Sequence, residues 1–455
     1  MRFVRRIKML IYLYMYVFTA LNLIIIFFSI QDTFLVLSFV TNLGLISYGI
    51  YYSMKKRWLN VDIVIWNFKY LFFLLAPLIQ INNNVFPNNL PITNDKILFV
   101  NFILSIWFFL YICVRNKNST LTPEEQFNFN HHNITQKVYM YAAVLITLLI
   151  LGLFGFDFSL GYDGWGSITA NKSNVLLLYI STAGIVYGNF IFQYEQFMKN
   201  KNVVMSIKVL LSFMMLLIVV NPFNMARYYI GFVVISLLFL FFRNKISNLL
   251  FNVFILMGIF ILFPLANFFR FGFTELHFNE LYQVMFQQFN ELHFDAYANI
   301  IATVDYVQEY GIAFGYQLLG AIFFFIPRVF WENKPLQSGE VIGNFLIDNG
   351  YLNYNNLANA LPSEMYINFG LLGIIIGPIA LAYIVNYMER NAKKEFLVYA
   401  LFSGFIFFIF RGALMSGFAY CFGTIVVIKY GAVFMNTLLK RKVKDRHLGI
   451  AVKKN

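Results

Sequence analysis

The chain has 455 residues, of which 60% are hydrophobic, 20% aromatic and only 12% charged, with a formal net charge of +13 and a mean hydropathy of +0.67. Soluble domains carry about 25% charged residues, so this composition excludes a soluble enzyme or binding module and points to an all-α chain that crosses a membrane many times. The basic excess is then a topology signature and an attraction to anionic lipid, and no argument for nucleic acid as a partner.

Apolar runs long enough to cross about 30 Å of hydrocarbon as helix are expected at 9–30, 34–53, 62–80, 97–114, 138–156, 174–194, 203–221, 227–242, 248–266, 363–388, 396–410 and 413–437. The first follows Arg2, Arg5, Arg6 and Lys8 and lacks a small-residue cleavage site, so it reads as a retained helix. Lys55 to Arg57, Arg115 to Lys117, Lys199 to Lys201, Arg243 to Lys245, Arg390 to Lys394 and the tail from Lys440 fall on the side of the basic N-terminus. By the positive-inside rule that side, with both termini, is cytoplasmic. The organisation expected is nine spans in 1–266, an extracytoplasmic loop at 267–361, three spans in 362–438 and a basic tail at 439–455. Cys113 and Cys421 read as small packing residues inside spans. The pairs Gly184/Gly188 and Gly373/Gly377 read as close helix contacts.

Within the long loop, residues 293–310 place Tyr297, Ile300, Ile301, Val304 and Val307 at helical spacing. Asp295, Asn299 and Thr303 share another face of the same helix. It is expected to lie on the membrane or against the bundle. Residues 318–326 (LLGAIFFFI) are apolar but too short to span, which suits a re-entrant or interfacial helix. Pro327 ends it, Arg328 and Lys334 follow, and Phe330 and Trp331 read as aromatic anchors.

Arg227, Arg270, Arg328 and Arg411 all map to the outer boundary. An arginine in hydrocarbon costs about 2.5–3.5 kcal/mol on insertion scales, so each needs a carboxylate, a wet cavity or an escape to the interface. Anchoring explains any one of them. Four from separate helices, with Lys334, suit a lipid pyrophosphate, because guanidinium binds phosphate oxygens in pairs and never deprotonates. Candidate proton acceptors at the same level are Glu364, then His293, then Asp295. Glu364 stands in LPSEMYINFG (361–370), where helix capping is the competing account; the helix start explains Asp295 equally well. No Walker loop, HExxH, Cys-x-x-Cys or Asp-x-Asp is present, so neither a metal nor a cofactor is expected.

At IPRVFWENKP (326–335), followed by LPSEMYINFG, and in its layout of about a dozen helices with a large late outer loop, the chain resembles the Wzy-type polymerases of O-antigen, capsule and exopolysaccharide assembly. The resemblance implies a GT-C-like, metal-independent glycosyltransferase of the bacterial inner membrane. Donor and acceptor would be undecaprenyl-pyrophosphate-linked oligosaccharides, with membrane lipid around the site and a chain-length regulator and a flippase as partners. A ligase of the O-antigen type, using the same donor and another acceptor, is the nearest alternative. A lipid-oligosaccharide flippase ranks third, because charged residues concentrate at the two faces rather than along a path between helices.

Overall fold

The computed structural model describes residues 2–56, 58–115, 133–154, 172–220, 227–262, 264, 285–434 and 437, and among them the regular structure is helix without strand. Among the described residues, seven helices are long and apolar enough to cross a membrane: Lys8–Ser29, Thr33–Lys55, Val61–Asn83, Asn94–Arg115, Thr135–Phe154, Leu371–Asn391 and Leu414–Phe434. This is a helical, multi-pass membrane protein. Of the other expected spans, four form shorter apolar helices, Val203–Val219, Tyr229–Phe242, Asn248–Leu262 and Phe396–Arg411. The run at 174–194 lies inside the helix Lys172–Lys199.

Contacts divide the chain into two compact units. The first comprises 1–123, 235–395 and 402–418. Its N-terminal helices are α1 (Arg2–Ser29), α2 (Thr33–Lys55), α3 (Val61–Asn83) and α4 (Asn94–Arg115). Polar side chains start two of them: Asp32 accepts from Phe34 N and Leu35 N ahead of α2, and Asn60 accepts from Ile63 N in the first turn of α3. α3 is buried on every side and is the axis of this unit.

Asp62, at the start of α3, and Arg115, at the end of α4, are not solvated. Asp62 accepts from Arg115 Nε at 3.0 Å, Arg115 Nη2 at 2.9 Å, Lys56 Nζ at 2.8 Å and Tyr111 Oη at 2.8 Å. Arg115 also reaches Glu389 at 2.5 Å and Asn386 at 2.5 Å on the helix Leu371–Asn391. Two cations and two carboxylates thus close a buried cluster that neutralises itself, the condition under which buried charge is tolerated. Two turns further along α3, Lys69 is fully buried, with the rings of Trp66, Tyr111 and Phe108 at 3.8, 4.1 and 5.0 Å from its ammonium. Cation–π attraction substitutes there for a hydrogen-bond acceptor.

After α9 (Asn248–Leu262), the segment expected to be an amphipathic helix forms α10 (Ala296–Tyr310) and packs against the bundle. Tyr297, Ile300, Ile301 and Val304 are buried, and so are Asn299 and Thr303 on the other face. Tyr297 Oη bonds Asn101 Oδ1 at 3.0 Å, and Lys96 pairs with Asp305 at 2.8 Å, so α4 holds α10 at two levels. The next helix, α11 (Tyr316–Ile322), makes two turns and no crossing. α12 (Ser338–Asp348) approaches residues 355–358 so closely that a Cβ on Gly339 or Gly343 would lie 2.0 Å from Leu357 O or 2.4 Å from Asn355 O.

The expected span at 363–388 is in fact two helices, α13 (Leu361–Phe369) and α14 (Leu371–Asn391). Gly370 separates them at φ +59°, ψ −139°, a conformation that residues with a Cβ rarely adopt. Glu364 therefore rides on a short helix outside the span. Gly370→Ala is expected to cost about 1–3 kcal/mol, read as a lower Tm in detergent; an unchanged Tm would mean that the break does not depend on this backbone conformation. α15 (Phe396–Arg411) and α16 (Leu414–Ile425), the latter continued by a π turn, follow. Gly373 and Gly377 are close contacts as expected: an added Cβ would meet Met365 O at 1.9 Å or the Trp107 ring at 2.4 Å.

The second unit comprises 124–234, 396–401 and 419–455. Its helices α5 (Asn133–Phe154), α6 (Lys172–Lys199) and α7 (Val203–Val219) pack on one another. Tyr139 Oη donates to Val427 O at 2.5 Å, and Gly184 and Gly188 let Val427 and Tyr139 approach α6. α8 (Arg227–Leu237) opens on Arg227. Cys421 is buried as expected, whereas Cys113, in the first unit, is exposed on α4.

Candidate functional site

An aromatic platform on α3 positions the segments that carry His293, Asp295 and Arg411. Phe294 stacks on Phe72 with ring centroids 5.1 Å apart, while Phe407 and Phe410 pack on Phe68 at 5.2 and 5.4 Å. The segment before α10 and the last turn of α15 are thus fixed to one helix. Gln80, also on α3, donates to Phe289 O at 2.7 Å and Phe294 O at 3.0 Å.

Beside that platform Arg411 donates from Nε to His293 O and from Nη2 to Leu292 O, both at 3.0 Å, and Nη2 lies 3.6 Å from Asp295 Oδ1. Asp295 sits at the start of α10 but makes no side-chain cap. Its Oδ2 accepts from Asn299 Nδ2 at 2.9 Å instead. Burial pushes the Asp295 carboxyl up to about 6, with Arg411 and then Asn299 pulling the other way.

Glu364 is 3% exposed. Ser338 Oγ donates to its Oε1 at 2.5 Å, and Leu414 N donates to the same oxygen at 2.7 Å. Burial pushes this carboxyl up to about 7, and the two donors oppose that shift without cancelling it. Capping is part of its role, but in an unexpected form: Glu364 caps the first residue of α16, and its own helix starts without a side-chain cap. The turn Arg411–Leu414 therefore touches both buried carboxyls, through the arginine side chain at one end and a backbone N–H at the other.

Arg328 and Lys334 do not join this group. Arg328 donates to Lys334 O at 2.5 Å and Pro335 O at 3.2 Å, and Lys334 Nζ donates to Phe324 O at 2.7 Å and Ile326 O at 2.9 Å. His293 contributes its carbonyl, and its side chain is half-buried. Arg270 and the side chain of Arg227 lie outside the described residues. Sequence reasoning missed Ser338, Gln80 and Leu414 N. Ser338 opens α12 and reads as that helix's own cap, and a backbone donor leaves no trace in residue identity.

Chemically, the arrangement offers two carboxyls that exchange protons near neutral pH and one guanidinium whose Nη1 is uncommitted among the described residues. Each carboxyl is already held by donors, which favours proton transfer and anion binding over metal ligation. Comparison with protein-family models, curated proteins and solved structures gives no match to this chain.

Proposed function

We propose that the chain is a GT-C-like membrane glycosyltransferase of about a dozen spans that polymerises undecaprenyl-pyrophosphate-linked oligosaccharide repeats at the outer leaflet, with both termini cytoplasmic. The observation that carries the reading is the near-neutral carboxyl of Glu364 held by the same turn that presents Arg411. Glu364 takes the proton of the acceptor hydroxyl as its oxygen bonds to the donor's anomeric carbon. The bond from that carbon to the pyrophosphate oxygen breaks, and the lipid pyrophosphate leaves with the electron pair. Arg411 offsets charge on the departing pyrophosphate, and a good leaving group of this kind needs orientation and electrostatics more than covalent help. Asp295 positions Arg411. Arg270 is the further pyrophosphate ligand in this proposal; Arg328 and Lys334, turned onto their own loop, are not.

Glycan profiling of a strain lacking the gene tests the class of reaction. Single repeats on the surface are expected, whereas full-length chains retained on carrier lipid indicate a ligase and cytoplasmic build-up of repeats a flippase. Arg411→Lys keeps the charge but loses the planar fork and is expected to shorten or abolish polymer at normal protein abundance. Polymer of wild-type length in that variant would remove Arg411 from the site.

A further inference from the structure

The loop between α11 and α12 is built inside out relative to a loop in water. Its two cations fold back onto its own carbonyls, and its apolar side chains face outward. Phe325, Val329 and Phe330 are 65%, 84% and 83% exposed, and Leu319, Ile322 and Phe323 beside them are exposed as well. Meanwhile the carbonyls of Phe324, Ile326, Lys334 and Pro335 are taken by the side chains of Lys334 and Arg328. Those of Phe323, Pro327, Arg328 and Trp331 accept from backbone N–H groups, and Asn333 O accepts from Tyr316 Oη.

In water a surface loop has no need of this, because solvent satisfies its carbonyls and cations at no structural cost. Where solvent is missing, every backbone polar group must be satisfied from within. The loop also sits at the level where spans begin. A Cβ on Gly320 would meet Pro335 at 2.5 Å and Met415, in the first turn of the span Leu414–Phe434, at 2.8 Å. Ala313 N and Gly315 N bond Ile367 O and Asn368 O, just before the span that starts at Leu371.

We infer that the tip of this loop, Phe323 to Phe330, inserts into one lipid leaflet, its occupant being the acyl chains of the surrounding bilayer. Glu332 and Asn333 are exposed and mark the edge of insertion, so the tip lies in the interfacial zone and does not cross. Arg328 and Lys334 act here as internal donors that let an irregular backbone leave water. The inference requires only that the chain is a membrane protein; it stands or falls apart from the transferase reading.

The test places a single cysteine at Val329→Cys or Phe330→Cys, in a chain with Cys113→Ser and Cys421→Ala, and labels it with an environment-sensitive fluorophore. The protein is reconstituted in vesicles of phosphatidylethanolamine and phosphatidylglycerol. Blue-shifted emission, lost when the acyl chains carry bromine and insensitive to aqueous iodide, is the expected result. Emission at the wavelength found in water with quenching by iodide overturns the inference, as does protection from both quenchers, which would put protein over the loop. Adding Arg328→Gln with Lys334→Met is expected to move quenching from the acyl chains to iodide; unchanged quenching would refute the role given to the two cations.

Discussion

Glu364→Gln is expected to give an abundant, folded protein that retains lipid-linked repeats and fails to join them. Glutamine keeps an oxygen where Ser338 Oγ and Leu414 N donate to Oε1, so both bonds survive and only the ability to take a proton is lost. A positioned base contributes about 10²–10⁴-fold, enough to abolish visible polymer. In vitro, wild-type polymerisation should fall as pH drops below about 7, where the carboxyl becomes protonated. Stability runs the opposite way. An acid whose folded pKa is raised binds more protons folded than unfolded between 4.5 and about 7, so stability falls as pH rises through that window and stays lower above it, by up to about 1.4 kcal/mol per pH unit. Glu364→Gln removes that slope. A variant that polymerises normally would transfer the role to His293, with His293→Ala as the next comparison.

Arg115→Ala is expected to be the most destabilising single change in the first unit. It strips Asp62 and Glu389 of their shared guanidinium while leaving both carboxylates buried. Breaking a buried ion pair from one side costs about 3–5 kcal/mol, against a total stability of about 5–15 kcal/mol for an ordinary domain. Membrane abundance and the thermal aggregation midpoint in detergent read the loss. Neutralising the whole set (Lys56→Met, Asp62→Asn, Arg115→Gln and Glu389→Gln together) should recover part of it, since no charge is then left alone. A wild-type midpoint for Arg115→Ala would mean that solvent reaches these carboxylates.

Much of this architecture could be read from hydropathy, because the length of an apolar run and the thickness of a bilayer constrain each other directly. The break at Gly370 could not, since α13 and α14 are both apolar and only the backbone angle separates them. Within the site, Glu364, Asp295 and Arg411 were legible as charged residues with no solvated loop to account for them. Their mutual placement was not, since Asp295 and Arg411 are more than a hundred residues apart and are brought together by the Phe72–Phe294 and Phe68–Phe410 contacts. Arg115 carries a second meaning: counted among the basic residues that signal topology, it also turns back into the bundle. Arg328 and Lys334 show the same ambiguity, because a cation offered to a ligand and one offered to a carbonyl are the same letter in a sequence.

The cluster around Asp62 also imposes an order on biogenesis. Lys56, Asp62 and Arg115 leave the ribosome within the first four helices, and Glu389 and Asn386, which complete the set, follow some 270 residues later. Until α14 is inserted, the nascent bundle holds one more buried cation than carboxylate. Its N-terminal quarter therefore cannot reach its final energy alone, and a chain truncated before residue 386 would present a half-built charge lock to the membrane quality-control machinery.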